Sequence, residues 1–127
     1  KRIYMAELDL DMIMGVKKSK IKFTPISKYP SIMRDLAFVV DRKLPVQKIV
    51  DTISRHGRDL ETKETILKNV EVFDVYEGEH VNADQKSVAI TLEFQSGTHT
   101  LTDAQINRVF ETILKALEKD CNALLRQ

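Results

Sequence analysis

The sequence predicts an α+β domain in which an antiparallel sheet carries two helices on one of its faces. Three observations lead there. Stretches with apolar residues at every second position recur along the chain. Two stretches with apolar residues at helical spacing lie between them. The two kinds alternate as strand, helix, strand, strand, helix, strand.

Each element has its own signal. The first strand of the body is Arg34-Asp35-Leu36-Ala37-Phe38-Val39-Val40, with Leu36, Phe38 and Val40 on one side. Asp41-Arg42-Lys43-Leu44 then turns the chain, and Pro45 suits the first position of a helix, where its missing N–H costs nothing. Val46, Ile49, Val50 and Ile53 follow at i, i+3, i+4 and i+7, and Gly57 supplies a C-terminal cap. Residues 58–67 are charged and fit neither period. Residues 70–76 form the second strand and 86–95 the third, joined by the polar hairpin loop 77–85. Thr102-Asp103-Ala104-Gln105 is a capping box that opens the last helix. Its apolar stripe is Ile106, Val109, Phe110, Ile113, Leu114 and Leu117, and it should run to about Lys119. Residues 123–126 suit a short closing strand. This order is the split βαβ pattern of ferredoxin-like domains.

Ahead of the body, residues 3–12 alternate, with Leu8, Leu10 and Met12 opposite Glu7, Asp9 and Asp11, which predicts a half-buried strand. Gly15 and Lys17-Lys18-Ser19-Lys20 then read as a basic linker. The X-Pro steps at Thr24-Pro25 and Tyr29-Pro30 extend the backbone before the body begins. A boundary therefore falls between residues 13 and 23, dividing the chain into 1–21 and 22–127. Such a strand, cut from its own sheet, exposes apolar side chains and unpaired backbone. It is expected to fold against its own domain or to pair with a copy of itself.

Length and composition narrow the function classes. The 127 residues suffice for one domain, or one domain and an attached segment. Hydrophobic residues at 43% and charged residues at 31% describe a globular chain rather than a disordered one. No apolar run approaches the roughly 18 residues of a membrane span. One cysteine, Cys121, leaves no intramolecular disulfide and reads as a small core residue. With no initiator Met and no apolar signal core, the chain reads as a piece of a longer cytoplasmic protein.

Charge is distributed unevenly. Residues 1–30 hold seven basic and three acidic residues, while residues 31–127 hold 13 basic and 16 acidic, a net of −3. A body of that charge cannot hold nucleic acid by bulk phosphate neutralisation. Contact with nucleic acid would have to be local.

Alternation also predicts what each sheet face shows. The helix side collects Leu36, Phe38, Val40, Phe73, Val75, Val88, Ile90, Leu92 and Phe94. The opposite face collects Asp35, Ala37, Val39, Val72, Asp74, Tyr76, Ser87, Ala89, Thr91 and Glu93. Small residues around an exposed tyrosine would let a nucleobase lie flat on the sheet, with Asp or Ser bonding its edge. A solvated or partner-covered face with one amphipathic tyrosine explains the same pattern, and alternation alone favours it.

Motifs of catalysis are absent. His56, His80 and His99 have no second ligand at metal spacing, and Gly15, Gly57, Gly78 and Gly97 stand isolated, which excludes a Gly-rich phosphate loop. His56, beside Gly57, is expected at the helix C-terminus. The pairs Asp9/Asp11 and Glu77/Glu79 read as solvated surface. A metal site and a catalytic residue are expected in neither place.

Several segments together carry a resemblance. Residues 29–40, Val72-Phe73-Asp74-Val75-Tyr76-Glu77-Gly78, Lys86-Ser87 with its strand, and Thr100-Leu101-Thr102-Asp103 occur in the order seen in one family. The chain resembles the C-terminal ferredoxin-like anticodon-binding domain of bacterial phenylalanyl-tRNA synthetase beta subunits over about residues 22–127. Residues 3–12 are similar to the strand that ends the preceding catalytic-like domain.

The resemblance implies a non-catalytic module of a heterotetramer whose alpha subunit performs catalysis with ATP and Mg²⁺. The module itself would need no cofactor. Its implied partner is the anticodon stem-loop of tRNA(Phe), met by Asp74 and Tyr76 of the second strand, Ser87 of the third and Ala37 of the first. Arg34 and Lys86 match the same motifs and suit phosphate contact, although Arg34 could equally pair with Asp35 or a neighbouring strand. Two features depart from the family pattern. The connection 58–65 is longer and more charged, and His99 stands where arginine is common.

Two rivals remain from the residues alone. A small acylphosphatase-like hydrolase needs an anion-binding loop after the first strand, and Asp41-Arg42-Lys43-Leu44-Pro45 contains no glycine for one. A protein-interaction module would use the free sheet face for a protein instead of RNA.

Overall fold

Apolar alternation on three long strands needs a common cover, and the two amphipathic helices provide it. The computed structural model describes residues 3–16, 23, 26–79 and 81–126. Its elements are α1 (Leu10–Gly15), β1 (Ile32–Asp41), α2 (Val46–Arg55), β2 (Leu67–Tyr76), β3 (Gln85–Phe94), α3 (Asp103–Cys121) and β4 (Leu124–Leu125). The four strands form one antiparallel sheet in the order β2-β3-β1-β4. With α2 and α3 packed together over one face, this is a ferredoxin-like fold.

The core lies between that face and the helices. Leu36, Phe38 and Val40 of β1 and Val88, Ile90, Leu92 and Phe94 of β3 are buried against Ile49 and Ile53 of α2 and Ile106, Val109, Ile113 and Leu117 of α3. Each such side chain contributes roughly 1.5–3 kcal/mol of burial, so this layer dominates the stability of the domain. Cys121 is buried beside Thr52 and belongs to the same core.

Local signals explain the helix ends. Thr102 accepts the N–H of Gln105, whose side chain accepts the N–H of Thr102, completing the expected capping box. Asn122 ends α3 in the left-handed conformation, φ 48°. Pro45 is the N-cap of α2 rather than its first helical residue. The ring of His56 sits at the C-terminus of α2, with Nδ1 2.8 Å from the carbonyl of Thr52. Gly57 does not act as a left-handed cap, since no glycine has positive φ among the described residues. It is needed for space instead. A Cβ there would strike the side chain of Leu67, whose strand start crosses directly over it.

Residues 58–65 have a definite structure. Arg58 and Thr65 form an isolated antiparallel bridge, and the N–H of Asp59 donates to the carbonyl of Glu64 at 2.8 Å. The carboxylate of Asp59 turns inward, 1% exposed, and accepts from Arg108 of α3 at 2.9 Å and from the N–H of Glu61 at 3.0 Å. Burial alone would raise the pKa of Asp59. The hydrogen bond from Arg108, the Glu61 N–H and the Arg108 charge outweigh that effect and hold it below the ordinary 3.8. The charges that obscured this segment in the sequence are therefore what anchor it to α3.

Residues 3–12 do not form a strand: 3–9 are irregular, and α1 begins at Leu10 with Asp9 accepting the N–H of Met12 at 3.0 Å. Leu8, Leu10 and Met12, expected on a buried side, are 70%, 69% and 76% exposed. A strand needs a hydrogen-bonding neighbour, and no described strand lies beside this segment, so the local Asx cap prevails. The segment does not pack on its own domain either. β2 departs from strict alternation. Its pairing with β3 shifts between Val72 and Asp74, so a bulge at Phe73 reverses the alternation. Val72 joins the helix side opposite Ile90, and Phe73, expected in the core, is 58% exposed.

Candidate nucleic-acid interface

The register of the ladder fixes which side chains meet on the sheet face opposite the helices. Ala37 of β1 stands opposite Ala89 of β3, which stands opposite Asp74 of β2. One row along, Val39, Ser87 and Tyr76 are aligned in the same way. On the row beyond the alanines, Thr91 Oγ1 donates to Asp35 Oδ1 at 2.6 Å and so occupies the Asp35 carboxylate. The bulge at Phe73 is what returns Asp74 and Tyr76 to this face after Val72 has faced the core.

The closing strand adds a residue from another direction. β4 runs antiparallel to β1 with Leu125 opposite Phe38 and Leu124 opposite Val39. Continuing that register, the N–H of Arg126 donates to the carbonyl of Ala37 at 2.8 Å. Alternation turns Arg126 to the same side as Ala37.

These residues enclose a shallow depression of ≈ 350 Å³ lined by Ala37, Asp74, Tyr76, Ser87, Ala89 and Arg126. Its floor is made of the two alanines, whose small side chains leave room above the sheet. Tyr76, 39% exposed, forms a wall, and its ring rests against Gly78. Among the described residues, the side chains of Asp74, Tyr76 and Ser87 engage in no hydrogen bond with one another or with neighbours. One aromatic ring, a carboxylate acceptor, a hydroxyl and a guanidinium therefore converge on one small space. That set can stack a planar base, accept from its edge and neutralise a phosphate.

A second depression of ≈ 280 Å³ lies beside β4, lined by Phe38, Leu114, Leu117, Glu118, Ala123, Leu124 and Leu125. Its lining is apolar, with Phe38 and leucines of α3 and β4, and its one charged residue is the acid Glu118, so it holds no cation for a phosphate.

Of the six residues singled out in the sequence, the structure brings four together: Ala37, Asp74, Tyr76 and Ser87. Arg34 and Lys86 are elsewhere. Both are out of phase with the free-face residues, so the pleat sends them to the helix side. The guanidinium of Arg34 lies 3.9 Å from Asp103 at the start of α3. Lys86 is buried, and its Nζ donates to the carbonyl of Leu44 at 2.6 Å. Neither cation reaches the depression. The sequence reading missed Arg126, for which the signal was present in the alternation of residues 123–126 but weak over so short a strand.

Comparison with known proteins identifies the family of the domain. A family model described as the ferredoxin-fold anticodon binding domain matches residues 27–126. The chain belongs to this family. As an anticodon-binding domain it is 43% identical over 120 residues to the phenylalanine–tRNA ligase beta subunit of Staphylococcus saprophyticus, covering 94% of this chain and 14% of that protein. The same subunit from Bacillus licheniformis is 42% identical over 123 residues, covering 97% of this chain and 15% of the relative. That from Dehalococcoides mccartyi is 41% identical over 124 residues, covering 98% and 14%. The domain therefore spans a small part of the length of the curated relatives it matches. Among its described residues no helix is long and apolar enough to cross a membrane.

Proposed function

We propose that the chain is the tRNA-binding domain of a phenylalanyl-tRNA synthetase beta subunit and docks the anticodon stem-loop of tRNA(Phe) on its free sheet face. The observation that carries this reading is the convergence of Ala37, Asp74, Tyr76 and Ser87 on one depression. Family membership and the names of the relatives supply the RNA class. The mechanism is positioning. An anticodon base stacks on Tyr76 over the alanine floor, worth roughly 1–3 kcal/mol. Asp74 and Ser87 bond its edge. Phenylalanine attachment, with ATP and Mg²⁺, takes place in the alpha subunit of a cytoplasmic heterotetramer, and residues 1–21 belong to the preceding domain.

Because the body carries a net charge of −3, the domain alone binds weakly, and the remainder of the enzyme supplies most of the phosphate contact. Backbone NMR shifts during titration with an anticodon stem-loop RNA test the reading. Shifts centred on Ala37, Asp74, Tyr76 and Ser87, lost in Tyr76→Ala, are expected. An unmoved spectrum at millimolar RNA would refute it and favour a protein partner for this face.

A further inference from the structure

The geometry points to Arg126 as the phosphate-binding and orienting residue of this face. The inference rests on the anticodon reading above and extends it to a residue that the sequence motifs did not mark. Three observations carry it. First, Arg34 and Lys86, the cations that the motifs suggest for phosphate contact, lie on the helix side, and Lys86 is already held by the carbonyl of Leu44. Second, Arg126 lines the depression together with Tyr76 and Asp74 and is the one cation that does so among the described residues. Third, its backbone is fixed, because its N–H completes the β1–β4 ladder at Ala37.

The charges explain the arrangement. Asp74 and Arg126 line the same space, yet no ion pair joins them among the described residues. Opposite charges held apart across an open depression suit a ligand that carries a donor at one end and an anion at the other. A nucleotide is such a ligand: its base edge donates to Asp74 and its phosphate accepts from Arg126. Guanidinium is the appropriate group, since its planar fork can hold two phosphate oxygens at once. On a body of net negative charge, this one contact would also decide where along the RNA backbone the domain settles.

The test is the salt dependence of binding between the chain and a tRNA(Phe) anticodon stem-loop, measured over about 50 to 200 mM salt. Wild type, Arg126→Gln, Arg126→Lys and Tyr76→Ala are compared. Loss of one phosphate contact to single-stranded RNA should make the slope of log K against log salt shallower by about 0.7, which is about a fivefold loss of affinity at 0.1 M. Arg126→Gln should show both effects. Arg126→Lys should keep the slope and lose affinity only through the lost fork. Tyr76→Ala should weaken binding with the slope unchanged. If Arg126→Gln keeps the wild-type slope while Tyr76→Ala weakens binding, the role of Arg126 is wrong and the anticodon reading stands. If wild type binds no stem-loop at any salt, both fall together.

Discussion

The phenol of Tyr76 fills the space that a side chain at residue 78 would need: a Cβ on Gly78 would overlap the hydroxyl oxygen and the ring carbons next to it. Gly78 has no positive φ, so the glycine is required by contact and not by backbone conformation. The hydroxyl end of the ring is thereby braced against the main chain at Gly78. A braced ring loses less freedom when a planar group stacks on it.

Gly78→Ala should therefore displace the Tyr76 ring while leaving the fold intact, because residue 78 is exposed and outside the sheet. Stem-loop affinity should fall by up to the roughly 1–3 kcal/mol of the stacking contact. Titration of the variant beside Tyr76→Ala is the check. Wild-type affinity in Gly78→Ala would show that the ring position does not matter.

Lys86 should prove to be a stability residue. Its buried ammonium satisfies the carbonyl of Leu44, the last residue of the turn before Pro45 caps α2. Lys86→Met keeps the stem and removes the donor, and should cost about 1–3 kcal/mol in urea unfolding. Stem-loop affinity should stay at the wild-type value. The reverse outcome, weaker binding at unchanged stability, would restore the phosphate role that its motif suggests.

Asp59 should give the domain an acid-sensitive component of stability. Its folded-state pKa lies below 3.8, so the ionised carboxylate is favoured in the native protein. Stability from this source is present above pH 3.8 and is lost as pH falls through the folded value. Asp59→Asn removes it. The gap in urea midpoint between wild type and variant should be level near neutrality and close at the acid end. A gap that is the same at every pH would assign the effect to packing alone.

The segment before the body should contribute nothing to folding of the domain. Leu8, Leu10 and Met12 are exposed, and α1 buries no residue. Deletion of residues 1–21 should leave the urea midpoint unchanged. Light scattering should show concentration-dependent association of the full chain that the truncated chain lacks, because exposed apolar side chains favour self-contact. A lowered midpoint in the truncated chain would mean that the segment does pack on the body.

Much of this was legible in residues close together in the chain. The capping box at Thr102 and Gln105 needs only its own four residues, and the stripe from Ile106 to Leu117 needs only helical periodicity. The core faces of β1 and β3 followed from unbroken alternation, so Leu36, Phe38, Val88 and Ile90 stand where a period of two puts them. The order of elements along the chain pointed to the fold class, and a fold with both helices on one side of its sheet leaves the other face free. Ala37, Asp74, Tyr76 and Ser87 could be grouped because each is in phase with the others on that face.

What the chain alone could not decide depends on partners distant in sequence. Strand parity carries no marker for a bulge, so alternation points Phe73 into the core while the shifted pairing with β3 turns it outward. The strand expected at residues 3–12 had the right alternation, but alternation does not supply a neighbouring strand to bond with. Arg34 and Lys86 have the charge that phosphate contact requires, yet the pleat directs them away from the depression. Arg126 reaches it because a two-residue strand pairs with β1, some ninety residues earlier. Local periodicity determined the elements and the identity of the face. The hydrogen-bonded register between strands decided which charged groups that face presents, since register is a property of two segments at once.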